Sequence, residues 1–179
     1  MPTIYYIRHG KTEWNTLGRF QGLQDIPLND LGRVEATKAG DILRELLARE
    51  GRDPFELGFV TSPLVRARQT AELLTPLLRR ERRLQIVDAL SPSGDHNGLF
   101  SQLADAEIEG GLALVGHEPD MGEIGSRLLF GEPRDVMTFK KGGVACIEVE
   151  ADDEGPFGML RWMLTPKQMR AMTSSSKVG

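Results

Sequence analysis

The sequence predicts an α/β fold, a three-layer sandwich in which a mainly parallel central sheet carries helices on both faces. Short apolar runs alternate along the chain with longer segments whose apolar residues recur at helical spacing. This alternation is typical of parallel strands joined by helices. The length of 179 residues suits one domain with one hydrophobic core.

The elements follow in chain order. Four apolar runs predict parallel strands: Thr3 to Ile7, Leu57 to Ser62, Leu84 to Val87 and Gly111 to His117. Four segments predict the helices between them: Leu31 to Glu50, Pro63 to Arg80, about Leu99 to Glu107, and Met121 to Leu129. Gly51 and Pro54 end the first of these helices. The segments ACIEVE and GMLRWML predict a final pair of strands, and PKQMRAM a last short helix.

Composition narrows the class of protein. Hydrophobic residues make up 40% and charged residues 27% of the chain, and the net charge is -4, which argues against a nucleic-acid or membrane surface. Cys146 is the only cysteine, so no intrachain disulfide can form, and we expect it to be a buried apolar residue. We expect one domain over residues 1–172 and a flexible polar tail over 173–179. Neither a signal peptide nor a transmembrane run is visible, so we expect a cytoplasmic protein.

Charged and polar side chains stand where three predicted strands end. The first strand ends in Arg8 and His9, the second is followed by Arg66 one turn into its helix, and the fourth ends in His117. The carboxyl ends of parallel strands meet at one edge of a sheet, where ligands bind in such folds. A single strand-end histidine is more often structural or solvated. Two histidines and two arginines together favour a functional site.

This set of residues suits phosphoryl transfer. A neutral imidazole can attack phosphorus and hold the phosphoryl group covalently. Arginine side chains bind phosphate in two-pronged fashion, and positioning with charge stabilisation supplies most of the catalysis. The run Gly10-Lys11-Thr12 resembles the end of a P-loop, but Tyr5 stands where that motif needs its first glycine, which excludes it. The histidines are dispersed, so we expect no metal and no cofactor.

Three segments resemble the signatures of the histidine phosphatase superfamily, also called the phosphoglycerate mutase-like family. They are YIRHGKTEWNTLGRFQGLQDIPLNDLGRVEA (6–36), TSPLVRARQTAELL (61–74) and LVGHEPDMG (114–122). Their order and spacing match the family over most of the chain. The resemblance implies the family's α/β fold.

The resemblance also implies roles for individual residues. His9 matches the phosphorylated nucleophile, Arg8 and Arg66 match the phosphate-binding arginines, and His117 matches the second histidine of the pocket. The expected substrate contacts are Asn15, Gln21, Gly22, Ser62 and Glu118.

Other residues near these motifs keep two interpretations. The Ser62 hydroxyl can support the pocket or simply stabilise a turn. Arg19 can meet an anionic substrate or remain a solvated loop residue, and Trp14 is better explained by packing than as a pocket wall. His96 matches no histidine of the family and is expected to be an exposed loop residue.

One departure from the family concerns the general acid. Many members carry a glutamate after the third strand, but here Pro92 occupies that position. Asp95 is the nearest carboxyl in the sequence and is the expected acid, with Glu13 and Glu118 as alternatives. A phosphohistidine substrate would lessen the need for an acid, because its nitrogen leaving group is readily protonated.

These features predict a phosphatase that forms a phosphohistidine on His9. Parts of the chain, such as SPSGD and VGHEPDMG, are similar to SixA-type phosphohistidine phosphatases, whereas GRFQGLQDIPLN is more similar to mutases and broad phosphatases. The expected partner is a phosphorylated small molecule or a phosphohistidine protein. A phosphoglycerate mutase is the alternative, although the short middle of the chain lacks the insertions of the glycolytic mutases. A non-catalytic phosphate-binding module is the third.

Overall fold

The computed structural model describes residues 3–74, 84–96, 99, 111–152 and 155–175. In these residues the strands are β1 (Thr3–Arg8), β2 (Gly58–Thr61), β3 (Gln85–Ile86), β4 (Leu112–Gly116), β5 (Val144–Asp152) and β6 (Gly155–Leu164). The helices are α1 (Glu13–Thr16), α2 (Asp30–Arg49), α3 (Val65–Leu74), α4 (Asp120–Phe130) and α5 (Pro166–Ser175). Short 3-10 turns lie at Pro54–Glu56 and Asp88–Leu90.

The six strands form one sheet in the order β3-β2-β4-β1-β5-β6. The strands β3, β2, β4 and β1 are parallel, whereas β5 pairs antiparallel with β1 and β6 antiparallel with β5. The predicted α/β class is therefore confirmed, as a mixed sheet with an antiparallel pair at one edge. None of the described helices is both long and apolar enough to cross a membrane.

The side chains of β1 alternate between two cores because successive residues of a strand face opposite sides of the sheet. Tyr5 and Ile7 pack on the side of α2 and α3, whereas Ile4 and Tyr6 pack on the side of α4. Apolar residues of α2 at helical spacing face the first core. They are Ala39, Ile42, Leu43 and Leu47. The two cores explain why helices cover both faces. Cys146 lies in the first core and is buried, as expected, and burial raises the pKa of its thiol to about 12.

The register of the three central strands brings their carboxyl ends level. Arg8 pairs with Gly116 and Thr61 with Val115, so β1, β4 and β2 end side by side. Backbone hydrogen bonds continue one residue beyond each pairing, from His9 N to the Gly116 carbonyl (3.0 Å) and from Ser62 N to the Val115 carbonyl (3.0 Å). The residues that follow these strands are thereby held beside one another.

Several predicted boundaries differ from the structure. The helix expected from Pro63 begins at Val65, and its expected continuation over 75–83 lies outside the described residues. The helix expected from about Leu99 to Glu107 also lies outside them, apart from Leu99, which is buried. The last helix continues to Ser175, three residues past the boundary expected for the domain.

Candidate active site

A cavity of about 260 Å³ opens at the carboxyl ends of β1 and β4. We call this cavity the His9 pocket. Most of the residues expected at the site line it: Arg8, His9, Asn15, Gln21, Gly22, Arg66, His117 and Glu118. They come from three separate stretches of chain, which the parallel strands bring to one edge of the sheet.

The His9 side chain is only 4% exposed and is oriented by its own backbone. Its Nδ1 lies 2.7 Å from the Gly10 carbonyl oxygen, which can only accept, so Nδ1 carries the hydrogen. Nε2 then keeps its lone pair. Burial lowers the pKa of His9 well below its usual range, and the neighbouring His117 ring and the positive charges of Arg66 and Arg8 lower it further. His9 is therefore a neutral base with a defined tautomer.

His117 lies beside His9, with 5.0 Å between the ring centroids. Its Nε2 is 2.8 Å from the hydroxyl oxygen of Ser62, which itself accepts the backbone N–H of Leu64 (3.3 Å). The Ser62 hydroxyl has its own hydrogen available for Nε2, and with that bond direction the ring hydrogen of His117 is on Nδ1. Burial and the two arginines lower the pKa of His117 to about 3. Ser62 lies behind His117 rather than in the pocket lining.

The two arginines are fixed by backbone carbonyls. Arg66, only 2% exposed, donates from Nη1 to the Gln24 carbonyl (2.7 Å) and from Nη2 to the Gly22 carbonyl (2.8 Å). Arg8 donates from Nη1 to the Phe139 carbonyl (2.5 Å). Burial lowers the pKa of both side chains, but arginine stays protonated because its ordinary pKa is so high. Both guanidinium groups are therefore held in position as fixed positive charges.

Three buried nitrogen atoms of the pocket side chains have no hydrogen-bond partner within the described residues. They are Nε of Arg8, Nε of Arg66 and Nδ1 of His117. Buried donors are nearly always paired in folded proteins, because an unpaired one costs the free energy of its lost hydration. Three such donors around one cavity are the arrangement that a tetrahedral oxyanion would satisfy.

The amides of Asn15 and Gln21 add further donors to the pocket. The Asn15 side-chain oxygen accepts the backbone N–H of Thr12 (3.1 Å) in the capping box of α1. The Gln21 side-chain oxygen accepts the Thr12 hydroxyl (2.9 Å). Because both oxygens are engaged, each amide has its NH₂ group left to offer to an anion. Thr12, which is fully buried, thus orients both side chains.

Gly22 stands in a backbone conformation that side chains disfavour. Its φ is +49°, in the left-handed region. This turn points the Gly22 carbonyl at Arg66. The glycine therefore shapes the rim of the pocket through its backbone.

The carboxyl groups differ from the sequence-based expectation. Asp95 does not line the His9 pocket but is exposed in a neighbouring cleft, beyond the turn at Pro92 and Ser93. Glu118 does line the pocket, and burial raises the pKa of its carboxyl against the opposing effects of the Phe139 N–H and Arg8. Glu13, the other alternative, is exposed and is absent from the pocket lining.

His96 is not the exposed loop residue that the sequence suggested. It is 8% exposed, and its Nε2 lies 3.3 Å from Oδ1 of Asp120. The prediction was wrong because a histidine in a polar, turn-rich segment gives no sign of the carboxylate that packs against it from α4.

Five further residues line the pocket that the sequence did not single out: Phe20, Ser93, Pro119, Asp120 and Lys141. Lys141 precedes β5, whose amino end lies at the carboxyl end of β1 because the two strands are antiparallel. Burial and the nearby positive charge of Arg8 lower the pKa of Lys141. An antiparallel pairing of β5 with β1, had it been predicted, would have placed Lys141 beside Arg8 and His9. Arg19 also lines the pocket, and its guanidinium carbon lies 5.8 Å from the ring centroid of Trp14.

Comparison with known proteins gives a consistent result. The profile of the histidine phosphatase superfamily (branch 1) matches residues 4–133. An uncharacterised protein of Picosynechococcus sp. is 31% identical over 160 residues, which cover 84% of this chain and 92% of that protein. Sedoheptulose 1,7-bisphosphatase of Saccharomyces cerevisiae is 30% identical over 56% of this chain, and the match spans only 39% of that protein. The protein histidine phosphatase SixA complexed with tungstate has a similar fold, with a TM-score of 0.69 and 22% identity over 92% of this chain and 97% of that chain.

Proposed function

The chain belongs to the histidine phosphatase superfamily, and we propose that it is a phosphatase that hydrolyses a phosphomonoester or a phosphohistidine through a covalent phosphohistidine on His9. One observation carries this proposal. His9 presents a neutral imidazole of defined tautomer beside three donors, of Arg8, Arg66 and His117, that have no partner among the described residues. A nucleophile next to an oxyanion cradle is what phosphoryl transfer requires.

The reaction runs in two halves. In the first half, Nε2 of His9 attacks phosphorus while the leaving group departs on the opposite side. Negative charge on the three equatorial oxygens is stabilised by the guanidinium groups of Arg8 and Arg66 and by the Nδ1 hydrogen of His117. The Asn15 and Gln21 amide groups add uncharged donors. In the second half, water attacks the phosphoryl group and His9 leaves with the electron pair of the broken phosphorus–nitrogen bond.

The neutral state of both histidines supports this reaction mechanism. A protonated His9 has no lone pair with which to attack, and its lowered pKa keeps it unprotonated near neutral pH. His117 is likewise neutral, so it stabilises the oxyanion as a hydrogen-bond donor rather than as a charge. Its lack of charge also leaves the positive field of the pocket to the two arginines and Lys141.

A phosphatase fits better than a mutase. A mutase must keep the phosphoenzyme from water until a second substrate accepts the group. The middle of the chain lacks the insertions that the glycolytic mutases carry, and Pro92 stands where many superfamily members have a glutamate. The phosphatase proposal also covers a phosphohistidine protein as substrate, in keeping with a fold shared with a protein histidine phosphatase.

A substrate panel tests the proposal. Phosphate release would be measured with p-nitrophenyl phosphate, a phosphohistidine peptide and 3-phosphoglycerate, alongside an assay for conversion of 3-phosphoglycerate to its isomer. We expect release of phosphate from at least one of the first two substrates and its loss in His9→Ala. Isomerisation without net phosphate release would instead identify a mutase. Binding of phosphate with no turnover of any substrate would identify a non-catalytic module.

A further inference from the structure

Asp120 is a buried carboxylate between two cavities. It is the first residue of α4, is 6% exposed, and lines both the His9 pocket and the neighbouring cleft that contains His96. It stands three residues after His117, so the same strand end that supplies the histidine also supplies this carboxyl group.

The two oxygens of Asp120 have different surroundings. Oδ1 accepts the backbone N–H of Ser93 (2.9 Å). Nε2 of His96 lies 3.3 Å from Oδ1, a close polar contact without the geometry of a hydrogen bond. Oδ2 is buried and has no hydrogen-bond partner in the part of the chain that the structure describes. An unpaired carboxylate oxygen is costly to bury, so one that borders a reaction pocket is a candidate for proton transfer.

Ser93 fixes where this carboxyl group stands. Its φ is +61°, which is uncommon for a residue with a side chain. The turn aims the Ser93 N–H at Asp120, while Pro92 and Ser93 both line the His9 pocket. Asp120 is thereby held next to residue 92, the position at which many superfamily members carry their acid and where this chain has a proline.

Glu118 is less suited to the same task. Its Oε1 accepts the backbone N–H of Phe139 (2.7 Å). This contact, the N–H of Gly122 and the charge of Arg8 partly oppose the rise in pKa that burial causes. Glu118 therefore anchors the segment that precedes β5 and partly neutralises the charge of Arg8. Asp120 has one oxygen left for a substrate or a water molecule.

We propose that Asp120 is the proton donor and acceptor of the phosphatase reaction and that His96 positions its carboxyl group. In the first half, the bond from Nε2 of His9 to phosphorus forms, the bond from phosphorus to the leaving oxygen breaks, and Asp120 gives its proton to that oxygen. In the second half, the Asp120 carboxylate takes a proton from the attacking water as the phosphorus–nitrogen bond breaks. The proton is restored, and no other reactant is needed.

This inference rests on the proposed function, and the experiment separates the two. Rapid-quench assays would compare the wild type with Asp120→Asn, which keeps an oxygen to accept the Ser93 N–H. Substrates would be an alkyl phosphate, whose leaving group needs a proton, and p-nitrophenyl phosphate, whose leaving group does not. We expect kcat/KM for the alkyl phosphate to fall about 10²- to 10⁴-fold, the range of general acid–base catalysis, and for p-nitrophenyl phosphate to fall far less.

The second half of the reaction gives an independent readout. With p-nitrophenyl phosphate, Asp120→Asn should release a burst of nitrophenol and accumulate the phosphoenzyme, because water is no longer activated. Glu123→Gln is the matched control, since it removes a carboxylate from the same helical turn outside the His9 pocket. Its kcat/KM values for both substrates should stay within about twofold of the wild type. The loss of a general acid or base would lower them by about 10²- to 10⁴-fold.

His96 and Asp95 complete the design. His96→Ala should shift the ratio of the two kcat/KM values in the direction of Asp120→Asn. His96→Gln, which keeps a polar side chain beside Asp120, should recover part of that shift. Asp95→Asn should behave as the Glu123→Gln control does. The inference is overturned if Asp120→Asn lowers kcat/KM equally for both substrates, or for neither, while the wild type still forms phospho-His9. If the wild type forms no phosphoenzyme, the proposed function itself fails.

Discussion

Replacing Arg66 with alanine tests how the pocket holds the phosphoryl group. The side chain is 2% exposed, and its two Nη atoms bind the carbonyls of Gln24 and Gly22. Its Nε has no hydrogen-bond partner in the part of the chain that the structure describes. Alanine therefore removes both a donor to the transferring group and the anchor of the loop that forms the pocket rim. The first loss acts on rate and the second on stability.

The two losses have separable magnitudes. Loss of a preorganised donor to a developing oxyanion costs about 2–4 kcal/mol of transition-state stabilisation, a fall of roughly 30- to 1,000-fold in kcat. Each charged hydrogen bond to the loop contributes about 1.5–3 kcal/mol to stability. For a domain of this size, about 1 kcal/mol corresponds to a Tm shift of roughly 2–4 °C. The two bonds of Arg66 together contribute about 3–6 kcal/mol, so we expect Arg66→Ala to melt roughly 6–24 °C lower and to remain folded at 25 °C.

The assay combines steady-state kinetics on p-nitrophenyl phosphate with thermal melts of the same samples. Arg19→Ala is the control, because Arg19 lines the same pocket but is exposed and stacked on Trp14. An exposed charge is screened by solvent, so we expect Arg19→Ala to cost less than about 1 kcal/mol. Equal losses in the two variants would show that the phosphate does not sit against Arg66. A loss in Arg66→Ala that is restored by cooling alone would assign its effect to the loop.

Three further predictions follow from the same geometry. Ser62→Ala should lower kcat about tenfold, because Nε2 of His117 loses its buried partner at a cost of about 1–2 kcal/mol and the Nδ1 hydrogen is no longer enforced, with kinetics as the readout. Activity should survive EDTA because arginines can neutralise the phosphate, and a loss reversed by added metal would contradict this mechanism. The free energy of unfolding should fall as the pH drops from about 6.5 to about 3, because the unfolded chain binds a proton at His117 before the folded chain does. In urea melts, His117 should contribute a slope of up to about 1.4 kcal/mol per pH unit to this free energy. That contribution should be absent in His117→Asn.

Strand direction made the core of the site predictable from sequence. His9, His117 and Arg66 follow strands that are parallel, so they meet at one edge of the sheet when β1, β4 and β2 are neighbours. This conclusion needs no knowledge of side-chain contacts. From the sequence, one could say only that a nucleophilic His9 needs one ring nitrogen free of hydrogen, and not which nitrogen that is. The Gly10 carbonyl that meets it is a matter of local backbone geometry.

Other features depend on contacts between distant parts of the chain. The bond from Thr12 to Gln21 and the anchoring of the Gly22 carbonyl by Arg66 require a folded loop whose path the sequence does not specify. Asp95 was favoured as the acid because it is near Pro92 in sequence. The turn through Ser93 sends it away from the pocket, and the carboxyl that arrives instead comes from α4. Sequence proximity was therefore a poor guide where a turn intervened.

The most direct test of the account is to trap the phosphoenzyme and locate its phosphate. The enzyme would be mixed with ³²P-labelled p-nitrophenyl phosphate, quenched in base within milliseconds, digested, and analysed by mass spectrometry and ³¹P NMR. Because Nδ1 of His9 is held by the Gly10 carbonyl, the account predicts an acid-labile phosphate on Nε2 of His9, absent in His9→Ala. Turnover without any phosphorylated histidine, or phosphate attached to Nδ1 or to His117, would contradict it.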